Sequence, residues 1–432
     1  MRVLLRSRKD PFRVLSADRT FRQNAIGDNV GNLVFSHAAH RLLSVQGNDV
    51  VSNRFAAQID DAPRINEEFD VFVVPLANAF RKSFKGHLDA LTDLIERLTI
   101  PVVVLGVGAQ ATTGYNASRL TPLESSVRRF VGAVLDRSAS IGVRGEFTAE
   151  YLHGLGFRDV EVIGCPSLFL RGPDLHVAKD PAGLTARSRV AINVSPYVKD
   201  MGAITMAAHR RYPHLTYVPQ DLKTLGLLIY GDSPDEAGRT SDLPVHETHP
   251  LYRERKIRFF LDPPTWMDFL ATQDFSFGTR IHGNITSTLA GTPAVVLAHD
   301  SRTLELARYH EIPHRLVRNV GADVDPAELY AEADYTGLNS GHAKRWEVFS
   351  GFMERNGLQH VYQGGRLDPG AVAFDARVSA TSYPGPVRPP RQRGMVDDVA
   401  VRLRRHAHAA VAHARRAARA ARDAGATGLG GR

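Results

Sequence analysis

Residues 275–298 read FSFGTRIHGNITSTLAGTPAVVLA, and this stretch decides the fold class. A buried apolar strand ends at Gly278, a helix begins near Gly283, and a second apolar strand starts at Pro293. A strand, a helix and a strand joined by such short connections are typical of a βαβ unit with parallel strands. The stretch therefore predicts an α/β fold that binds ligands at the carboxyl ends of its strands.

The same alternation extends in both directions along the chain. Apolar runs such as VFVVP at 71–75 and PVVVL at 101–105 predict buried strands between amphipathic helices. Residues 171–188 are rich in glycine, proline and charge, so they predict a linker, after which the alternation resumes. We therefore expect two doubly wound, Rossmann-like domains facing a cleft, an N-terminal α/β domain at 1–175 and a C-terminal one at 188–362.

Residues 363–432 differ in composition from the rest of the chain, and we expect them to form a Pro/Arg/Ala-rich extension. The net charge of +8 is concentrated there, so the rest is close to neutral and nucleic-acid binding is not indicated. Alanine and arginine favour a helix over 395–422. That helix is interpreted either as a solvated extension or as a basic surface helix that meets anionic lipid or a lipid-linked substrate.

Cysteine content and hydropathy restrict the compartment and the kind of site. Cys165 is the single cysteine, which excludes an intramolecular disulfide framework and a multi-cysteine zinc site. No run reaches the ~20 apolar residues that span a bilayer, and the apolar stretch after Met1 is too short for a signal peptide. We therefore expect a cytoplasmic protein, placed at the inner face of the membrane if the basic tail binds lipid.

The turn after Gly278 carries the strongest candidate site. Arg280 and His282 follow the end of the strand, and the start of the helix adds a positive helix end. An arginine fork binds anions, and a histidine exchanges protons near neutral pH, so this pair suits acid–base chemistry on a small polyanion. Gly278, Gly283 and Asn284 are predicted to complete the binding turn. The structural alternative is a paired arginine beside a buried histidine.

Arg144 is a second basic candidate, because it directly follows the strand predicted at 140–143. Side chains at that end of a parallel strand lie near the ligand site, and arginine suits carboxylate or phosphate. A salt bridge from Arg144 to Glu146 or to a neighbouring helix is the structural alternative.

Two glycine-containing loops complete the candidate site. In NAIGDNVGN at 24–32, Asp28 is expected either to cap the following helix or to contact substrate, with Asn29 beside it. In GVGAQA at 106–111, the G-x-G-x-x-A spacing resembles a dinucleotide fingerprint, but a loop follows in place of the required helix. We therefore expect no dinucleotide cofactor there and predict that the backbone of the loop, with Gly108 and Gln110, approaches a substrate.

Taken in order, these motifs resemble the polysaccharide pyruvyl transferase family. The chain departs from the family at Gly145, where many members carry an acidic residue, and residues beyond 360 have no counterpart in the resemblance. The matching motifs are N-x-x-G-D-N at 24–29, PVVVLGVGAQ at 101–110, I-x-V-R at 141–144, C-P-S-L at 165–168, and R-x-H-G with A-G-x-P at 280–293.

The resemblance implies a fold similar to that of the B-type glycosyltransferases and an enzyme that uses phosphoenolpyruvate without a metal cofactor. Such an enzyme transfers pyruvate to a sugar of a polysaccharide, oligosaccharide or glycolipid of the cell envelope, forms a pyruvate ketal and releases phosphate. We assign His282 as general acid/base, with Arg280 and Arg144 holding carboxylate and phosphate. Three alternatives stay open: a B-type glycosyltransferase that uses a nucleotide sugar, an enol-ether pyruvyl transferase, and a non-catalytic protein that binds nucleic acid or membrane through its tail.

Overall fold

The computed structural model describes residues 1–231 and 242–390, which form an α/β protein with two large parallel sheets. The strands are β1 (Arg2–Leu5), β2 (Asp49–Ser52), β3 (Val71–Pro75), β4 (Asn78–Phe80), β5 (Val102–Leu105), β6 (Gly108–Ala109), β7 (Ile141–Val143), β8 (Val160–Val162), β9 (Val190–Asn193), β10 (Thr216–Tyr217), β11 (Phe275–Gly278), β12 (Ala294–Ala298) and β13 (His314–Leu316). The helices are α1 (Ala17–Arg22), α2 (Gly31–Leu43), α3 (Ala62–Glu68), α4 (Lys85–Ile95), α5 (Glu124–Leu135), α6 (Glu146–Gly154), α7 (Met201–Arg211), α8 (Leu222–Tyr230), α9 (Pro250–Arg253), α10 (Pro263–Leu270), α11 (Ile281–Leu289), α12 (Ser301–Tyr309), α13 (Pro326–Glu332), α14 (Thr336–Arg355) and α15 (Pro369–Ala380).

Each half of the chain is built around one parallel sheet. The first sheet has the strand order β2-β1-β3-β5, and the pair β7–β8 continues it through a bridge between Val107 and Val143. The second sheet has the order β10-β9-β11-β12-β13. Two successive parallel sheets confirm the predicted class of two doubly wound halves. In such folds ligands bind at the carboxyl ends of the strands, which here include the ends of β7 and β11.

Continuous apolar runs form the central strands, because helices cover both faces of a parallel sheet. β3, β5, β11 and β12 are buried along their whole length, as their sequences predict. β1 and β2 were not predicted, because RVLL and DVVS each begin with a charged residue and hold only two or three apolar residues in a row; β2 is also a half-exposed edge strand. The run IRFFL at 257–261 predicts a further strand, and this prediction is wrong: Ile257 and Phe259 form only isolated bridges, and their buried side chains join the core of the second half.

Two helices tie the halves together. The first part of α2 places Leu33 and Phe35 in the core of the second half, whereas α14 packs Phe349 and Phe352 onto the first sheet. α14 belongs to the stretch 188–362 predicted as the C-terminal domain, so the boundary drawn from sequence does not follow the packing. The start of α2 is thereby held at the junction of the two halves, where the candidate site lies.

The first part of the predicted extension is folded onto the body of the protein. In α15, Asp375 forms an ion pair with Arg41 of α2 at 2.6 Å, and Phe374 packs against aromatic rings of the same helix. The expectation of one separate extension at 363–432 is therefore wrong for residues 363–390, which pack on the body. The helix predicted at 395–422 lies outside the described residues. Among the helices of the described chain, none is long and apolar enough to cross a bilayer.

Candidate active site

The carboxyl end of β11 carries a tight turn that fixes the first residues of α11. Gly278 has a φ of +143°, and a Cβ there would collide with the carbonyl oxygen of Asn193. The buried Asn284 holds the turn from the helix: its Nδ2 donates to the Gly278 carbonyl at 3.0 Å, and its Oδ1 accepts from Asn193 at 2.9 Å. A Cβ at Gly283 would lie 2.9 Å from the Cγ of Asn193. These three predicted residues therefore build the turn through packing and hydrogen bonds.

His282 lies in the first turn of α11, against the start of α2. Its ring centre is 5.6 Å from that of Phe35, and a Cβ at Gly31 would lie only 2.9 Å from the Cβ of His282. Its Nε2 is 3.7 Å from the Sγ of Cys165. Because the residue is 7% exposed, the imidazole is almost completely enclosed between the two halves.

The charge around His282 is strongly positive. Burial, reinforced by Arg144, Arg302 and Arg280, holds the pKa of His282 well below its usual value. The imidazole is therefore neutral at pH 7 in the unliganded protein. An anion bound beside these arginines would offset their charge and raise this pKa, so the site couples anion binding to protonation of the histidine.

Arg144 follows β7 and is 2% exposed. Its Nε donates to the Gly106 carbonyl at 2.8 Å, and its Nη2 lies 3.8 Å from the Sγ of Cys165. The alternative of a salt bridge to Glu146 is wrong, and among the described residues no carboxylate forms an ion pair with Arg144. Glu305 is near enough to act on the charge of Arg144 but forms no ion pair with it, so the buried guanidinium keeps donor capacity for an anion, which makes Arg144 a candidate for ligand binding.

Arg280 is the N-cap residue of α11 and extends toward α8. Its Nη2 is 3.7 Å from the Oδ2 of Asp221, and its buried Nε has no hydrogen-bond partner among the described residues. Its backbone N–H donates to the side chain of Asn193 at 2.8 Å, which fixes the start of the side chain. The guanidinium therefore keeps donor capacity for a ligand, although Asp221 offsets part of its charge.

Asp28 and Asn29 form the turn before α2. Asp28 has a φ of +68°, and its carboxylate accepts from the Nδ2 of Asn24 at 2.9 Å. The capping alternative for Asp28 is wrong, because α2 has no side-chain cap at its N-cap residue; the Oδ1 of Asn29 instead accepts from the N–H of Gly31 at 2.8 Å. The Asp28 carboxylate is exposed, and its contact with a substrate hydroxyl stays a prediction.

Gly108 and Gln110 lie where the two halves touch. A Cβ at Gly108 would lie 3.1 Å from the Cδ of Arg144. The Gln110 amide accepts from the Nδ2 of Asn78 at 2.9 Å and donates to Asp300 at 3.4 Å, so both of its ends are engaged. In this structure Gly108 makes room for Arg144, and Gln110 bridges the halves.

Sequence reasoning missed Arg302, whose charge acts on His282. Its Nε forms an ion pair with Asp300 at 2.7 Å, and its Nη2 donates to the hydroxyl of Tyr197 at 3.2 Å. The signal was HDSR at 299–302, a polar cluster that directly follows the apolar strand β12. A cluster in that position lies at the same edge of the sheet as the end of β11.

Glu305, one turn further along α12, was also missed. It is buried, accepts from the Oγ1 of Thr148 at 2.8 Å, and has its pKa raised to about 7 by burial. A Cβ at Gly145 would lie 3.0 Å from the Cβ of Glu305. Many members of the family carry an acidic residue at the position of Gly145, directly after the arginine. In this protein Glu305, from the other half, occupies the space beside Gly145 and Arg144.

The fold and the site together define an α/β protein in which three arginines surround the neutral, buried His282 at the carboxyl ends of parallel strands. The family model described as polysaccharide pyruvyl transferase matches residues 29–301, which is more than half of the chain. The chain therefore belongs to the polysaccharide pyruvyl transferase family, and the protein is a transferase. A search of the curated proteins finds no match.

Three solved structures are similar to this chain at low identity, and at these values they carry no conclusion about its function. They are a UDP-GlcNAc 2-epimerase from Neisseria meningitidis bound to UDP-GlcNAc (12% identity, 88% of this chain and 100% of that chain covered, TM-score 0.40), a UDP-GlcNAc 2-epimerase from Methanocaldococcus jannaschii in complex with UDP-GlcNAc and UDP (10%, 82% and 99%, TM-score 0.42), and the glycotransferase of kitacinnamycin (13%, 87% and 98%, TM-score 0.33).

Proposed function

We propose that this protein transfers pyruvate from phosphoenolpyruvate to two hydroxyl groups of a sugar, forming a pyruvate ketal and releasing phosphate. One observation carries the proposal: the unpaired, buried Arg144 and the partly paired Arg280 flank a neutral His282. Phosphoenolpyruvate carries a carboxylate and a phosphate, and arginine forks bind both groups. Membership in the family supports pyruvyl transfer to a polysaccharide in general.

The proposed reaction starts when phosphoenolpyruvate binds the arginines and its negative charge raises the pKa of His282. The protonated His282 donates its proton to the methylene carbon C3, and a first sugar hydroxyl attacks C2 and returns a proton to the imidazole. A second hydroxyl then attacks C2 while the bond from C2 to the phosphate oxygen breaks, and its proton leaves with the phosphate. Arg144 and Arg280 stabilise the negative charge of the donor and of the departing phosphate.

This proposal assigns the neutralisation of charge to arginine side chains and no role to a metal cofactor. We therefore expect turnover to be insensitive to EDTA once an acceptor is known. A rate that falls with EDTA and returns with a divalent cation would contradict this part of the proposal.

The test is phosphate release from phosphoenolpyruvate across a panel of oligosaccharides, nucleotide sugars and lipid-linked sugars. We expect release that depends on one class of acceptor, with a ketal methyl signal in the NMR spectrum of the product. A retained vinyl group would identify the enol-ether reaction instead. Cleavage of a nucleotide sugar, with no phosphate release from phosphoenolpyruvate for any acceptor, would overturn the proposal in favour of a B-type glycosyltransferase.

We further propose that the basic residues of 391–432 bring the enzyme to anionic lipid at the inner face of the membrane, where a lipid-linked acceptor would be available. Since residues 363–390 are folded onto the body, the informative truncation ends at Pro390. It should keep turnover of a soluble acceptor and lose binding to vesicles that contain phosphatidylglycerol. Unchanged vesicle binding after truncation would contradict this role of the tail.

A further inference from the structure

Two arginines of the first half have no role in the proposed donor site. Arg6 directly follows β1, and Arg81 directly follows β4, so both lie at carboxyl ends of strands. Their guanidinium carbons are 5.9 and 5.8 Å from the ring centre of Phe84, so the two cations share one aromatic ring. Arg6 also lies over the ring of Phe55 at 4.2 Å. The pair thus combines two positive charges with an apolar floor.

Neither arginine is neutralised by an acid. Within 1–231 and 242–390, no carboxylate forms an ion pair with either of them. The Nη1 of Arg6 donates to the carbonyl of Pro75 at the long distance of 3.4 Å, and the Nε of Arg81 is buried with no hydrogen-bond partner. Burial lowers the pKa of Arg6 to about 10 and is the main cause that lowers the pKa of Arg81. Removing a cation from water without an acidic partner is unfavourable, and a bound anion would relieve it.

Arg8 shows how a structural arginine is held in the same loop. Its Nε, Nη1 and Nη2 donate to three backbone carbonyl groups at 2.7, 2.8 and 2.6 Å. All three nitrogens of its guanidinium group thus donate to the protein, as expected where arginine only fixes a loop. Arg6 and Arg81 lack such a set of backbone carbonyl partners among the described residues, so fixing a loop does not explain why they are there.

Arg302 connects the pair with the donor site. Its charge lowers the pKa of Arg81 and also that of His282. The carboxylates of Asp28 and Asp300 act on Arg81 in the opposite sense, so they too are near. Arg81 therefore lies near Asp28, the residue expected to contact a sugar hydroxyl, and near Arg302, which acts on His282.

We propose that Arg6 and Arg81 form an anion subsite for a phosphate group of the acceptor. The acceptor is then a sugar phosphate or a sugar diphosphate, carried on a nucleoside or on an isoprenoid lipid, rather than a neutral glycan. Arginine forks match phosphate oxygens, whereas a sugar hydroxyl has no need of two cations. The acceptor role rests on the proposed function, but the anion subsite itself does not depend on phosphoenolpyruvate.

The test is calorimetric titration of the full chain with pyrophosphate. An Arg280→Gln background weakens the donor site, so that the titration reports on the remaining anion site. Adding Arg81→Gln to this background should weaken pyrophosphate binding by about tenfold or more, and Arg6→Gln should act in the same direction. Arg119→Gln, at an exposed position, is the matched control and should leave the affinity unchanged. Melting temperatures check folding, and Arg81→Lys, which keeps the charge without the fork, should give a smaller loss.

Pyrophosphate affinity that is equal with and without Arg81→Gln would overturn the inference, as would the absence of pyrophosphate binding. An equally large loss of phosphoenolpyruvate affinity in Arg81→Gln would also overturn it, because the phosphate would then be that of the donor. If the wild type binds pyrophosphate through Arg81 but not phosphoenolpyruvate, the proposed function fails and the subsite stands. Turnover with a nucleoside-diphosphate sugar and with an isoprenyl-diphosphate sugar distinguishes the two carriers, since Arg81→Gln should raise KM for the one that is used.

Discussion

Two glycine-containing segments follow buried parallel strands in this protein, and they differ in what they do with their polar groups. The turn after β11 leaves donors of Arg280 without internal partners and encloses a neutral His282. In the loop at 106–111, the amide of Gln110 is engaged at both ends, and Gly108 makes room for another side chain. Glycine spacing thus shows that the chain turns tightly, whereas unpaired charge indicates where a ligand binds.

The largest effect should come from His282, the proton-transferring group of the first turn. His282→Gln should lower kcat by about 10²–10⁴-fold, the usual contribution of a general acid/base, while the arginines still bind the donor. Steady-state phosphate release, with the melting temperature as the check on folding, measures this. A near wild-type rate in a folded variant would contradict the assignment.

Arg144→Lys comes next, because lysine keeps the charge and loses the fork. We expect KM for phosphoenolpyruvate to rise by about 10–100-fold, the effect of losing one or two hydrogen bonds to a charged group. Arg129→Lys is the control, since Arg129 is half-exposed, forms ion pairs with Asp93 and Glu96, and has no role in the proposed donor site. An equal change of KM in both variants would contradict the proposal that Arg144 binds phosphoenolpyruvate.

Glu305 lies between the two segments and should make stability depend on pH. Folding raises its pKa from 4.5 to about 7, so the folded state holds the proton more tightly than the unfolded state. Stability from this group is present below pH 4.5 and is lost as the pH rises through about 7. Between about pH 5 and pH 8 the wild type should lose up to about 3 kcal/mol of unfolding free energy from this source. Urea unfolding at several pH values should show this loss in the wild type and not in Glu305→Gln; parallel profiles would contradict it.

The smallest effect should come from the loop at 106–111. Gln110→Ala removes one hydrogen bond within the first half and one between the halves, and it should lower the free energy of unfolding by about 1–3 kcal/mol, with KM for phosphoenolpyruvate unchanged. Denaturant unfolding and steady-state kinetics measure the two quantities on one preparation. Unchanged stability with a strongly raised KM would restore the predicted role of Gln110 in substrate binding.

The sequence predicts those parts of the fold that depend on local pattern. VFVVP became β3 because a strand covered on both faces must be apolar throughout. The run at 257–261 is also apolar except for Arg258, yet it fills the core without joining a sheet, because burial alone does not decide pairing. Likewise α15 lies in the Pro/Arg-rich stretch, and its contacts with Arg41 and with aromatic rings of α2 make it part of the body.

The residues of the candidate site likewise fall into those that the sequence predicts and those that it does not. Arg280, His282 and Arg144 were predictable because each follows a strand end within a few residues. Glu305 was not, since it comes near Arg144 only when α12 packs against the other half. Arg302 lies in the same half as His282, and the polar cluster after β12 was the overlooked signal for it. Arg6 and Arg81 carry no motif, and only the three-dimensional structure shows that neither has an acidic ion-pair partner among the described residues.

The central claim is that the arginine-enclosed His282 is the site of phosphoenolpyruvate, and calorimetry tests it most directly. Titration with phosphoenolpyruvate at pH 7, in two buffers of different ionisation enthalpy, reports the protons taken up on binding. Because the donor should raise the lowered pKa of His282, we predict uptake of about one proton by the wild type and none by His282→Gln, which should still bind. Binding without proton uptake, equal uptake in both proteins, or no binding to the wild type would contradict the account.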